Sequence, residues 1–149
     1  MKTPPRFTMQ QGIGLIEVLV AVLVLSIGLL GIAALQSNAL KNAQSSLNRS
    51  QAVMLSYFML DAMRINRAAA VGGQYDLGKT CTVVADVGNL ISHDQHVWLQ
   101  AIKDQLGNHP TSCGEIDCQG ADCTVRVYWD DSRGTAGSAS QMIETRTRL

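Results

Sequence analysis

The chain has 149 residues, 46% of them hydrophobic but only 5% aromatic, with 12 basic and 12 acidic side chains. That length accommodates a membrane anchor and one small domain. A net charge of zero leaves no basic surplus for nucleic acid, and so few aromatics imply a small core that needs covalent help.

In chain order, the first feature is a basic N-terminus, Lys2 and Arg6, ahead of a run from Ile13 to Leu35 with one charge, Glu17, and one hydroxyl, Ser26. A membrane-spanning helix needs about 20 apolar residues, so the run is long enough to cross. The apolar part of a secretory signal is only about 7–15 residues long and ends at a small-residue cleavage site. This run is longer and no such site follows, so the segment is expected to be retained. Glu17 is the anomaly, because a carboxylate at the centre of a membrane helix costs about 2.5–3.5 kcal/mol, and less near its end. A buried carboxylate needs a cation. No basic residue follows until Lys41, so the positive-inside rule leaves the N-terminus in the cytoplasm and carries the rest across the membrane. In a bacterium that compartment is the periplasm, where cysteines pair.

The composition changes after Leu35. Leu40, Ala43, Leu47, Met54, Phe58, Ala62 and Ile65 recur at steps of three, four and once seven, with Val53, Tyr57 and Leu60 beside them. This is one stripe of a helix, broader after Gln51, where a domain is expected to cover it. The first firm stop is Gly72-Gly73. The spacing predicts one helix from Ile13 to Ala70, roughly 85 Å long at 1.5 Å per residue. Its first half needs burial in lipid or among other such helices. Gly28 and Gly31 within it have two readings, tolerance in lipid and a close-packing or flexing point between subunits.

Further on, Val97, Trp98, Ala101, Ile102 and Leu106 predict a second helix over Ser92–Leu106, stopped by Gly107. Thr124–Trp129 alternates and is β-rich, and Gln141–Thr147 is expected to pair with it across a Gly- and Ser-rich loop, Asp130–Ser140. Thr80–Val84 is expected as a further short strand. The expected fold class is α+β, a small antiparallel sheet packed on the long helix. Four cysteines, Cys81, Cys113, Cys118 and Cys123, allow three connectivities. The turn-forming Gly120-Ala121-Asp122 makes a Cys118–Cys123 bridge geometrically plausible, which leaves Cys81 for Cys113.

Little points to catalysis. His93 and His96 lie three apart on the second helix without an accompanying metal frame, and the cysteine spacings differ from those of zinc sites. Asn48-Arg49-Ser50 matches a glycosylation sequon but falls in mid-helix. The expectation is a chain with no catalytic residue, no metal and no cofactor. A membrane-anchored periplasmic enzyme or binding protein stays open as the alternative from another class.

A basic leader ending in Gly12, then an apolar helix with Glu17 fifth after it, resembles the class III signal of the type IV pilin family. The resemblance implies that a prepilin peptidase cuts after Gly12 and methylates the amine of Ile13. It also implies that Glu17 offsets the amine charge of a neighbouring subunit. With Lys2 and Arg6 gone, the 12 basic residues fall to 10 against 12 acidic ones, a net charge near −2. Ile13 and Gly14 stand where the family commonly has Phe and Thr or Ser, and Ala34 stands where major pilins carry Pro, which argues for a minor subunit. The run Asp61, Met63-Arg64, Asn66-Arg67-Ala68 and the segment Trp129–Arg133 are similar to those of the PilV minor pilins.

The implied organisation is a leader (1–12), a transmembrane assembly helix (13–35), the periplasmic amphipathic half of that helix (36–70) and a disulfide-containing globular domain (71–149), the pilin lollipop. The implied role is a minor pilin in the complex that initiates a type IV pilus and sits at its tip, hence adhesion and twitching motility. Its partners would be other minor pilins, the major pilin, a tip adhesin, the prepilin peptidase and the inner membrane. A minor pseudopilin of type II secretion shares the leader and Glu17 and is the closest alternative.

Overall fold

The computed structural model describes residues 12, 14–135 and 137–149. The expectations for leader residues 1–11 and for Ile13 lie outside the described residues. The chain divides into two compact units, residues 1–38 and 39–149.

Helix α1 runs from Leu15 to Ile65 without a break, 51 residues, or about 77 Å at 1.5 Å per residue. No proline interrupts it, and its apolar half has a mean hydropathy of 2.9 over its most apolar stretch. By length and composition that half can cross a membrane. All described residues of the first unit are exposed.

The second unit is built on the later turns of α1. Ala52, Leu55, Met59, Leu60 and Met63 are buried, and the hydroxyl of the buried Ser56 donates to the Ala52 carbonyl at 2.9 Å. The stripe expected to be covered is instead largely the free one. Leu40, Leu47, Met54, Tyr57 and Phe58 are exposed, and Ile65 is 85% accessible. Among its members Ala62 packs partly on the core and Leu60 is buried. The reason is that this half of α1 carries two apolar stripes, and the helical period finds both without saying which one the domain covers.

The helix also stops earlier than expected. Asn66 leaves the helical region at φ −110° and ψ 48°, and its side-chain amide lies 3.5 Å from the Tyr75 hydroxyl. A short α2, Arg67–Val71, restarts from it, with the Asn66 carbonyl accepting from Ala69 and Ala70. Asparagine is suited to such a break because its amide competes with the helical ladder.

Strand β1 is Leu77–Thr80, followed by α3 (Leu90–Leu106), β2 (Cys113–Gln119), β3 (Asp122–Trp129) and β4 (Gln141–Arg148). The sheet order is β1-β2-β3-β4, all antiparallel. The fold class is therefore α+β, a long N-terminal apolar helix with a small antiparallel sheet. The first strand lies earlier than the expected Thr80–Val84, because pairing to β2 ends where Thr80 meets Gly114. Strand β2 was not expected. Its Gly114, Glu115 and Asp117 are poor strand formers, although Gly114, Ile116 and Cys118 alternate inward with Glu115, Asp117 and Gln119.

Helix α3 starts at a cap in which Asn89 Oδ1 accepts from the Ser92 amide at 2.8 Å. It buries Trp98, Leu99, Ile102 and Leu106. The Trp98 indole donates to the Leu55 carbonyl of α1 at 2.9 Å, fixing one helix on the other. Its six-membered ring lies against Gly114, where a Cβ would come within 2.6 Å of Trp98 Cη2 and 3.1 Å of Leu99 Cδ2. Tyr75, fully buried, donates to Asp94 Oδ2 at 2.7 Å. Burial and that carboxylate push its phenol up to about 12.

Candidate assembly site at the start of the long helix

Gly12 is exposed, and a Cβ built on it would meet nothing within 4 Å. Gly14 opens α1, its carbonyl accepting from the Glu17 and Val18 amides at 2.9 and 3.3 Å. Glu17 thus lies in the first turn, where the helix dipole favours an anion by about 0.3–1 kcal/mol. The Ser26 hydroxyl donates to the Val22 carbonyl at 2.7 Å, as a polar group in hydrocarbon must. Glu17 differs, since it forms no ion pair among the described residues. Glu17 is thus an exposed carboxylate in the first turn of an otherwise apolar helical run.

The cysteines, the histidines and the charged end of α1 lie in the second unit. Cys81 bonds to Cys113 across 32 positions, and Cys118 bonds to Cys123 across 5. The first bridge joins the end of β1 to the start of β2, and the second closes the β2–β3 hairpin where those two residues are paired in register. His93 Nδ1 lies 2.8 Å from Asp86 Oδ2, and His96 Nδ1 lies 2.7 Å from the Val84 carbonyl. The first contact holds the Asp86 carboxyl below its usual range. Each histidine is thus held by its own local partner. Asp61 and Arg64 pair at 2.5 Å on the exposed helix end, and Arg64 also reaches Thr147 Oγ1 at 3.5 Å. The sequon Asn48-Arg49-Ser50 lies within α1.

The outer face of the sheet carries a charged row absent from the sequence reading. Glu115, Arg126 and Glu144 are in register across β2, β3 and β4, with Arg126 at 2.6 Å from each carboxylate. The two carboxylates raise the Arg126 guanidinium above its ordinary value. Tyr128 donates to Glu115 at 2.7 Å, and Lys79 lies 4.0 Å from its ring centroid. Alternation along Thr124–Trp129 was the available signal, since it puts Arg126 and Tyr128 on one face.

The family model for the prokaryotic N-terminal methylation motif matches residues 7–33. That match supports a type IV pilin-like protein. It covers Gly12, Glu17 and most of the apolar run, and the family it describes is structural. The motif implies processing by a prepilin peptidase and assembly with other pilins, and with the apolar helix it fits membrane anchoring. No curated protein and no solved structure matches the chain.

Proposed function

We propose that the chain is a minor pilin of a type IV pilus, anchored in the inner membrane with residues 36–149 in the periplasm and then carried into the initiating complex at the pilus tip. The observation that supports this most is the methylation motif over residues 7–33 on a helix with Glu17 in its first turn. The peptidase removes residues 1–12 and methylates Ile13, and Glu17 accepts the amine of a neighbouring subunit. Pseudopilins of type II secretion share the motif, but the two disulfides favour the pilus. The similarity of Asp61–Ala68 and Trp129–Arg133 to PilV subunits supports the choice of a minor role, with other minor pilins, the major pilin and a tip adhesin as partners.

Processing is tested directly. Mass spectrometry of the mature protein is expected to find Ile13 at the N-terminus. Gly12→Val is expected to leave the full-length chain in the membrane, because the peptidase needs a backbone with no Cβ in the way. A mature start elsewhere removes the basis of the reading.

Glu17→Val separates insertion from assembly. The carboxylate opposes entry into lipid, so the variant should insert and fold as well as the native chain or better. Its recovery of partner pilins on co-purification should nevertheless fall at least tenfold. Native partner yield would count against charge pairing.

A further inference from the structure

The two edges of the sheet are unlike. Strand β1 has four residues, and its register shifts between Leu77 and Thr80. Strand β4 pairs with β3 along all eight residues, Gln141–Arg148, without a bulge or a proline. Short strands and irregular register are how proteins blunt sheet edges; β1 has both and β4 has neither.

The direction of the free backbone groups of β4 follows from its pairing. The Leu149 amide donates to the Ala121 carbonyl at 2.8 Å, so odd-numbered residues here bond to β3. In an antiparallel ladder the intervening residues point the other way. The amides and carbonyls of Met142, Glu144, Arg146 and Arg148 therefore face the open edge, and no further strand pairs with β4 among the described residues. The same four side chains are exposed, while Gln141, Ile143, Thr145 and Thr147 on the other face are half-buried.

Charge on this edge is uneven. Glu144 is engaged by Arg126. Arg146 and Arg148, opposite Thr124 and Asp122 of β3, form no ion pair among the described residues. Two guanidinium groups thus stand two residues apart beside a row of unpaired backbone groups.

We propose that β4 accepts an added strand from another protein, an extended segment in which Asp or Glu alternates with Val, Ile or Thr. Its backbone bonds to Met142, Glu144, Arg146 and Arg148, as in strand addition generally. Its acidic residues, two apart, meet Arg146 and Arg148 on the outer face. Its β-branched residues extend the half-buried row of Ile143, Thr145 and Thr147.

The test uses the full chain in detergent micelles with a ten-residue peptide of alternating Glu and Val. Amide hydrogen exchange of the Gln141–Leu149 fragment should slow at least fivefold on adding the peptide, with the protection lost at high salt. A peptide with Lys in place of Glu should protect at least tenfold more weakly. Arg146→Pro removes one outward amide and leaves the ladder to β3 intact, since proline is tolerated on the open side of an edge strand. It should abolish protection by the Glu peptide, whereas Arg146→Ala should only weaken it, with exchange in β2 and β3 native in both. Equal protection by the two peptides, no protection, or protection that survives Arg146→Pro overturns the proposal. So does peptide-independent cross-linking between cysteines placed at 146, which would make the occupant of the edge a second copy.

Discussion

Gly114→Val is expected to leave the second unit unfolded, the largest effect of any single substitution in the sheet. At this position even a Cβ overlaps the Trp98 ring, and valine adds two methyl groups more. The ring is fully buried and held by its hydrogen bond to the Leu55 carbonyl, so it has no free direction in which to move. Overpacking a core typically costs about 1–3 kcal/mol. Expelling the indole adds a loss of the order of a Trp→Ala change, about 3–5 kcal/mol. Small domains have about 5–15 kcal/mol in total. Gly114→Ala is the graded version and should lower the midpoint of chemical unfolding without abolishing folding. Combining it with Trp98→Phe, which shortens the ring, should give a double variant more stable than the sum of the two losses predicts. Strict additivity would show that the ring and the glycine do not oppose one another.

Loss of the Cys81–Cys113 bridge ranks second. Closing 32 positions restricts the unfolded chain by about 3.7 kcal/mol in the chain-entropy model, against about 2 kcal/mol for the 5 positions of Cys118–Cys123. Hairpin pairing already holds the second pair of cysteines together, whereas the first fixes β1 to β2 across the whole of α3. The paired change Cys81→Ser with Cys113→Ser should therefore lower stability more than Cys118→Ser with Cys123→Ser. Denaturant unfolding of the two double variants under oxidising conditions checks the order. Equal midpoints, or the reverse order, would contradict it.

The parts of the fold legible in the sequence are those where one physical signal dominates. The apolar run of α1, the β-rich alternation of β3 and the helical spacing around Trp98 each answer to a single periodicity. The covered face of α1 was misread because Met54, Phe58 and Ile65 form as regular a stripe as Leu55, Met59 and Met63. Strand β2 was hidden by Gly114, Glu115 and Asp117, whose strand conformation comes from pairing on both sides rather than from propensity. The Asn66 break comes with a contact at 3.5 Å to Tyr75, nine positions away. At the candidate site Gly12 and Glu17 stood out because each is chemically out of place in its surroundings. The open edge of β4 could not be seen that way, since which strand lies at an edge is a property of the assembled sheet.

The order of strands in that sheet also bears on how the unit folds. Strands β2, β3 and β4 are consecutive in the chain and adjacent in space, so their pairing closes only short loops and should be fast. They are also what covers the later turns of α1. Until they arrive, Ala52, Leu55, Met59, Leu60 and Met63 have nothing from Val125, Val127 or Trp129 to pack against. A chain whose sheet has yet to form therefore passes through an interval in which α1 shows both apolar stripes to its surroundings. Its hazard of misassociation is then set by how quickly the sheet pairs and docks on α1.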